Sequence, residues 1–290
     1  MHLLLLGKIG QLGWELNRTL APLGKITALD YPDIDLTRSD IQQTILDLRP
    51  QIVINATAYT AVDRAEEEPE LAEAINGRAP GLMAEAAKAT GAGLIHYSTD
   101  YIFDGKKGRP YIETDAANPL GVYGQSKLAG EKAIQAVNGA YLILRTSWVY
   151  SMRRDNFVRK ALQWARQHRV MRVVTDQVSN PTWARMLAEC TGSVLARGYE
   201  YIEERKGLYH LTGNGYASRL EWARAILELD PQREQQACKA LCAASTSEFP
   251  TPAQRPTFSA LDCTRFEQTF ALQLPEWMLS LQTAMKAMSA

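Results

Sequence analysis

Along the first 150 residues, short uninterrupted apolar runs alternate with longer stretches whose apolar positions recur at helical spacing. The runs fall at residues 3–6, 26–29, 52–55, 93–97 and 141–144. They are continuously apolar, the pattern of strands covered on both faces. Helical stretches at 11–20, 39–48, 71–90 and 121–137 separate them. Ser39 is a good N-cap residue and Pro50 closes the chain behind its helix, while the alanine-rich 71–90 stretch stops near Gly91. Repeated strand–helix–strand units predict an α/β fold, a doubly wound parallel sheet with helices on both faces. Beyond residue 150 the pattern loosens. Helices are expected at 156–168, 182–196 and 218–229 and a short strand at 207–212. Pro250, Pro252 and Pro256 exclude a regular helix from 244–258. Residues 1–150 therefore read as one unit. Residues 151–290 read as a smaller mixed α/β C-terminal lobe, some of whose segments return to the sheet.

The first run, in MHLLLLGKIGQLG, has only four leucines, too few to span a membrane. It lacks the basic region and cleavage site of a signal peptide, so it reads as a buried first strand. Lysine plus arginine and aspartate plus glutamate each number 32, giving a formal charge of zero. No long-range field favours nucleic acid or an anionic membrane, and an anionic ligand must be met by a local pocket. Cys190, Cys238, Cys242 and Cys263 form no CxxC pair and lie at no zinc-ligand spacing with histidine, so they read as reduced thiols of a cytoplasmic protein. His96, His168 and His210 read as structural.

Gly7, Gly10 and Gly13 in GKIGQLG follow the first strand and enter a helix. Glycine lets the backbone turn tightly and approach a pyrophosphate, and the helix N-terminus offers unpaired N–H groups and positive dipole. In that context the motif predicts a Rossmann-type dinucleotide site, against the alternative of a tight turn without ligand. Asp30 ends the second strand, 17 residues beyond Gly13. A carboxylate there accepts from a ribose diol and repels a 2′-phosphate, which tilts the expectation toward NADH; the alternative is a strand-end cap.

Tyr123 and Lys127 in VYGQSKLAGE share one helix face. A free tyrosine is too weak an acid–base group at neutral pH, and a neighbouring ammonium is expected to lower its pKa. The pair then passes a proton to an alkoxide oxygen as its carbon is reduced, with Lys127 also bonding the nicotinamide ribose. Ser98 and Thr99 close the fourth strand, where ligands sit in such folds, and a hydroxyl there can hold the substrate carbonyl. The alternative for Tyr-x-x-x-Lys is an ordinary surface helix.

These motifs, with NATAYTAVDRAE, HYSTDYIFDG, NPLGVYGQSKLAGE, RTSWVY, GLYHLTG and PTPAQRP, span nearly the whole chain. Together they resemble the extended short-chain dehydrogenases, and among them the dTDP-4-dehydrorhamnose reductase family. The resemblance implies that NADH or NADPH reduces the C4 keto group of dTDP-4-dehydro-6-deoxy-L-mannose to dTDP-L-rhamnose in the cytoplasm. It implies Thr99 as carbonyl donor, Asp100 on the sugar, Tyr123 as proton donor and Lys127 as its partner. It places Trp148 against the sugar; Gly10, Gln11 and Leu12 around the pyrophosphate; Asp30 on the ribose; and Asp35 and Leu36 beside adenine. Ala58, Tyr59 and Thr60 follow the cofactor toward the nicotinamide. From the residues alone, Trp148 stacks on a pyranose or simply packs the core. Arg255, in a proline-stiffened loop, pairs with a diphosphate or stays solvated. The run Glu66–Glu68 reads as a solvated helix start. Two segments depart from the family pattern: SMRRDNF after RTSWVY, and Ser179–Asn180 in DQVSNPT. Both are expected to border the sugar pocket. Some relatives dimerise around Mg²⁺ held by glutamates; only Glu15 matches, so a homodimer is possible and no metal is predicted.

Two rivals share the scaffold. A nucleotide-sugar epimerase or 4,6-dehydratase recycles bound NAD⁺, but the Asp-Glu pair that dehydratases carry after the threonine is here Asp100–Tyr101. A non-catalytic subunit, like the regulatory partner of methionine adenosyltransferase, would bind without chemistry. Net NAD(P)H consumption separates the reductase from the epimerase or dehydratase.

Overall fold

The computed structural model describes residues 1–287. Its centre is a six-stranded sheet built from β1 (His2–Leu6), β2 (Lys25–Leu29), β3 (Ile52–Asn55), β4 (Gly93–Thr99), β5 (Tyr141–Thr146) and β6 (Gly207–His210). The spatial order is β6-β5-β4-β3-β1-β2, and every neighbouring pair is parallel. Five strands are the predicted apolar runs. β6 is the predicted return of the later chain to the sheet.

The four leucines of β1 show why the sheet must be covered twice. Leu3 and Leu5 enter one core cluster, Leu4 and Leu6 the other, and all four are fully buried. Burial on this scale contributes roughly 1.5–3 kcal/mol per side chain. One face is covered by α1 (Gln11–Thr19), the other by α2 (Asp40–Leu48), α3 (Ala79–Thr90) and α4 (Val122–Val137). In the later chain follow α5 (Phe157–Gln167), α6 (Ala184–Leu195) and α7 (Arg219–Glu228). Helix α6 packs against α1.

Several expectations need correction. The helix expected at 71–90 is broken: Pro69–Glu73 is α-helical, Ala74–Arg78 forms a π turn, and α3 follows. Pro80 has no N–H to give to the Asn76 carbonyl four residues back, which fits a widened turn at this point. Thr182–Trp183 is not helical but pairs with Val149–Tyr150. Val170–Val174 and Ala240–Ala244 form a two-stranded parallel ribbon that the pattern did not predict. Arg172 interrupts the first strand, and the second, ALCAA, is mainly alanine, a weak strand former. Helices Tyr199–Glu204, Thr264–Phe270 and Trp277–Lys286 were also missed. No described helix is long and apolar enough to cross a membrane. All four cysteines are free thiols.

Candidate active site

The chain reverses its direction of progress across the sheet between β1 and β3, and a ligand crevice opens at such a switch point beyond the strand carboxyl ends. The structure has a cleft of about 670 Å³ there. Its lining brings together Gly7, Gly10, Gln11, Leu12, Asp30, Ala58, Thr60, Thr99, Asp100, Tyr123, Lys127 and Trp148.

Gly7, in the loop after β1, and Gly13, in the first turn of α1, are sterically obligatory. A Cβ on Gly13 would sit 1.8 Å from the Gly7 carbonyl oxygen. Gly7 itself has φ +92°, and a Cβ there would lie 2.9 Å from the Ala56 backbone. Gly13 therefore works by close packing of helix on loop. Helix α1 starts at Gln11 with no side-chain cap, so its first N–H groups remain available at the cleft. The Gln11 side chain accepts from Ser151 Oγ and Asn156 Nδ2, both at 3.0 Å, which ties the loop after β5 to the glycine loop.

Asp30 is oriented by backbone: its carboxylate accepts from Ile9 N at 2.9 Å and Tyr31 N at 2.8 Å. The Asp35 carboxylate accepts from Thr37 N at 2.9 Å and Thr37 Oγ1 at 2.7 Å. Asp35 and Leu36 do not line the cleft, and neither does Tyr59. The phenol of Tyr59 donates to Glu68, and its backbone N–H and C=O bond Asn76 at 2.9 and 3.1 Å. Asn76, displayed by the π turn, also donates to Ser126 on α4 at 3.1 Å. One side chain thus sets the β3 loop against the helix that carries Tyr123 and Lys127.

The wall that carries the candidate acid–base groups is made by the end of β4 and the first turns of α4. Tyr123 is buried, and that burial pushes its phenol well above the usual tyrosine value, while the adjacent Thr99 hydroxyl pulls the other way. Lys127 does not lower it. Its Nζ donates to the Tyr97 carbonyl at 2.6 Å and lies 3.3 Å from His96 Nε2. Burial brings Lys127 down to about 8, with Glu131 pulling it back up. The expected ammonium–phenol coupling is therefore replaced by a sheet-anchored ammonium and a phenol that keeps its proton. His96 is held in turn by Asn55 Nδ2, 3.0 Å from Nδ1, and stays neutral because it is buried.

Asp100 is 2% exposed. Its carboxylate accepts from Ser179 Oγ at 3.0 Å, Ser259 Oγ at 2.5 Å and Thr99 Oγ1 at 3.2 Å. Burial raises it to about 6, against the pull of those hydroxyls. The residue thus knots the end of β4 to two segments far along the chain. Ser179 was visible in sequence only as a departure, and Ser259 carried no signal.

Trp148 adopts a left-handed backbone, φ +40°. Its indole stacks on Trp222 with centroids 5.3 Å apart, and Arg219 Cζ lies 3.7 Å from the ring centre. Arg219 is also 5.4 Å from the Trp222 ring, a spacing that puts both groups on one side of the indole. Trp148 is therefore both packed and part of the cleft wall. Arg255 does not line this cleft: its guanidinium pairs with Asp63 at 2.7 Å and bonds Thr251. The acidic run is not merely solvated. Glu66 Oε1 accepts from Val122 N at 2.9 Å and caps α4, and Glu68 binds Tyr59 and Arg64. Glu15 is buried and pairs with Arg18 and Arg185 at 3.1 and 3.4 Å.

The model for the RmlD substrate binding domain family matches residues 1–290. The chain is 42% identical over 288 residues to the dTDP-4-dehydrorhamnose reductase of Escherichia coli (strain K12), covering 97% of this chain and 96% of that protein. The chain belongs to the dTDP-4-dehydrorhamnose reductase family. Among solved structures, the family member from Clostridium acetobutylicum ATCC 824 superposes with a TM-score of 0.92 at 34% identity, over 100% of both chains. The dTDP-4-dehydrorhamnose reductase of Bacillus anthracis str. Ames, crystallised in complex with NADP, gives 0.90 at 31% identity, over 99% of both chains.

Proposed function

We propose that this chain is an NAD(P)H-dependent reductase that converts the C4 keto group of dTDP-4-dehydro-6-deoxy-L-mannose to the alcohol of dTDP-L-rhamnose. The observation that carries the reading is convergence. Thr99, Tyr123 and Lys127 line the same cleft as the glycine loop, at the switch point of the sheet.

The residues fit a dinucleotide. The glycine loop leaves no room for a Cβ, and the N–H groups opening α1 are available to a pyrophosphate. Ser98 Oγ and Thr146 Oγ1, both on the cleft wall, are buried without a hydrogen-bond partner, so a bound group has polar atoms to satisfy. Gly10, Gln11 and Leu12 would hold the pyrophosphate, Asp30 the ribose, and Ala58 and Thr60 the chain toward the nicotinamide. Asp35 and Leu36 would frame the adenine side from outside the cleft lining, while Tyr59, whose phenol is turned to Glu68, leaves the nicotinamide side to Ala58 and Thr60. When bound, the reduced nicotinamide supplies the hydride. The protein's own part is proton management. Tyr123 keeps its proton at neutral pH and yields it to the C4 oxygen as negative charge develops there. Thr99 gives its single hydroxyl proton to Asp100 here and would turn it to that oxygen as a second donor when the sugar binds. Lys127, anchored on the Tyr97 carbonyl, would hold the nicotinamide ribose. Trp148 offers its free face to the sugar. Arg255, already neutralised by Asp63, would reach the diphosphate only by exchanging that partner. Residues 1–150 would bind mainly the cofactor and 151–290 mainly the sugar nucleotide. Such work belongs in the cytoplasm.

The test is incubation with the dTDP-4-keto-6-deoxy sugar and each reduced cofactor, following nicotinamide absorbance and product identity. Stoichiometric oxidation of NAD(P)H with dTDP-L-rhamnose as product is expected. Conversion without net consumption would indicate an epimerase or dehydratase. No turnover despite cofactor binding would indicate a regulatory protein. Tyr123→Phe should lose more than ~100-fold in turnover while still binding cofactor; undiminished turnover refutes the assigned acid.

A further inference from the structure

Trp148 stands in the wall of the cleft with a backbone that a bulky side chain rarely adopts, φ +40°. Such strain persists only where the surroundings impose it. Two sets of contacts do so here. The main chain is pinned by one neighbouring segment: Ser147 Oγ donates to the Asn180 carbonyl at 2.8 Å, and Thr182 N donates to the Trp148 carbonyl at 3.3 Å. The indole is held by a cation and a second indole. Arg219 Cζ lies 3.7 Å from the centre of the ring, and the buried Trp222 ring lies nearly parallel to it at 5.3 Å.

Arg219 is surrounded by aromatic rings, with Phe157 and Trp222 centred 4.9 and 5.4 Å from its Cζ. Burial brings its pKa down to about 10, so it remains a cation at neutral pH. Among the described residues it has no ion-pair partner, and the carboxylate that attracts it, Asp100, is taken by Ser179, Ser259 and Thr99. Its main chain is firmly set. Arg219 opens α7 directly behind Ser218, which forms a capping box with Glu221. Its N–H donates to the Gln177 carbonyl at 3.1 Å. Ala217 and Ser218 pair with Ser179 and Val178, and Ser179 donates to Asp100 beside Thr99. The base of Arg219 is thus built into the frame that carries Thr99, yet Arg219 itself does not line the cleft. A desolvated guanidinium on an indole is a contact of the same order as the strain of a bulky residue at positive φ.

We propose that Arg219 is a positioning residue for the sugar subsite: it holds the Trp148 indole against Trp222 and keeps the ring's free face where a hexose packs, acting through that ring and not on the ligand. The proposal rests on the reading of Trp148 as the sugar-facing wall.

Steady-state kinetics of Trp148→Ala, Arg219→Met and the double variant test it, with the sugar nucleotide and the reduced cofactor varied separately. Methionine keeps much of the side chain's length and removes its charge and planar face. Arg219→Met is expected to lower kcat/KM for the sugar nucleotide at least fivefold while KM for the cofactor stays within twofold. In the double variant the loss should match that of Trp148→Ala within twofold, because a residue that acts through a ring has nothing to act on once the ring is gone. Losses that multiply would show Arg219 working by another route and overturn the proposal. An unchanged kcat/KM for the sugar nucleotide, or parallel losses for both substrates, would overturn it too. Should Arg219→Met fail to fold, Arg219→Lys keeps the charge without the flat face; the same selective loss is expected there, and unaltered kinetics would refute the stacking role. Undiminished kcat/KM in Trp148→Ala would undo the sugar-wall reading and the role of Arg219 with it. A loss in Trp148→Ala without one in Arg219→Met would remove the positioning role alone.

Discussion

Asp100 offers the sharpest physical test of the structure. Replacing it with asparagine keeps the shape and the hydrogen-bonding reach toward Ser179 and Ser259 but removes the titration. In the folded protein burial raises this carboxyl from 3.8 to about 6. The folded state therefore binds more protons than the unfolded chain between those values, and stability falls as pH rises through that interval. At 1.36 kcal/mol per unit, a shift of about two units is worth about 3 kcal/mol. This contribution is fully present below about pH 4, declines toward pH 6, and is absent above it. Urea unfolding of the protein and of Asp100→Asn from pH 3.5 to 7.5 isolates the effect, because every other titrating group is common to both. The stability difference should move by about 3 kcal/mol in favour of the variant as pH rises across the interval. A difference that stays flat would mean that the three hydroxyls fully compensate the buried charge, and the account of the site's electrostatics would be wrong. Turnover adds a second readout, since loss of the carboxylate frees the Thr99 hydroxyl that it orients.

Other perturbations follow from single contacts. Gly13→Ala places a methyl 1.8 Å from the Gly7 carbonyl, so the loop must shift; cofactor affinity, followed by NADH fluorescence, should fall at least tenfold. Glu131→Gln strips the partner from Arg145, whose guanidinium lies 2.6 Å from the carboxylate in a pair almost sealed from solvent; chemical denaturation should show a loss of about 3–5 kcal/mol. Glu66→Ala removes the side-chain acceptor at the start of α4 and should cost about 1 kcal/mol in the same assay, with a fall in kcat because that helix carries Tyr123. Trp148→Ala should raise KM for the sugar nucleotide about tenfold while the KM for NADPH changes little, the worth of one aromatic stacking face; a change confined to the cofactor would move Trp148 out of the sugar subsite.

The sequence by itself determined the architecture. Double-sided strands such as Leu3–Leu6 must be buried, and only a sheet covered by helices on both faces can bury them. It also placed the candidate groups, because the Gly7–Gly13 turn and the Tyr123–Lys127 pair each lie within one turn or one helix, where spacing alone dictates proximity. What the tertiary structure alone decided was the company those groups keep. Tyr123 retains its proton and Lys127 faces the Tyr97 carbonyl because of depth and direction, which no local spacing encodes. Asp100 meets Ser179 and Ser259 across 79 and 159 residues of chain, and Arg255 meets Asp63 across 192. Such pairings depend on how distant loops are brought over the sheet. Their energies come from desolvation and geometry that exist only once the chain is packed.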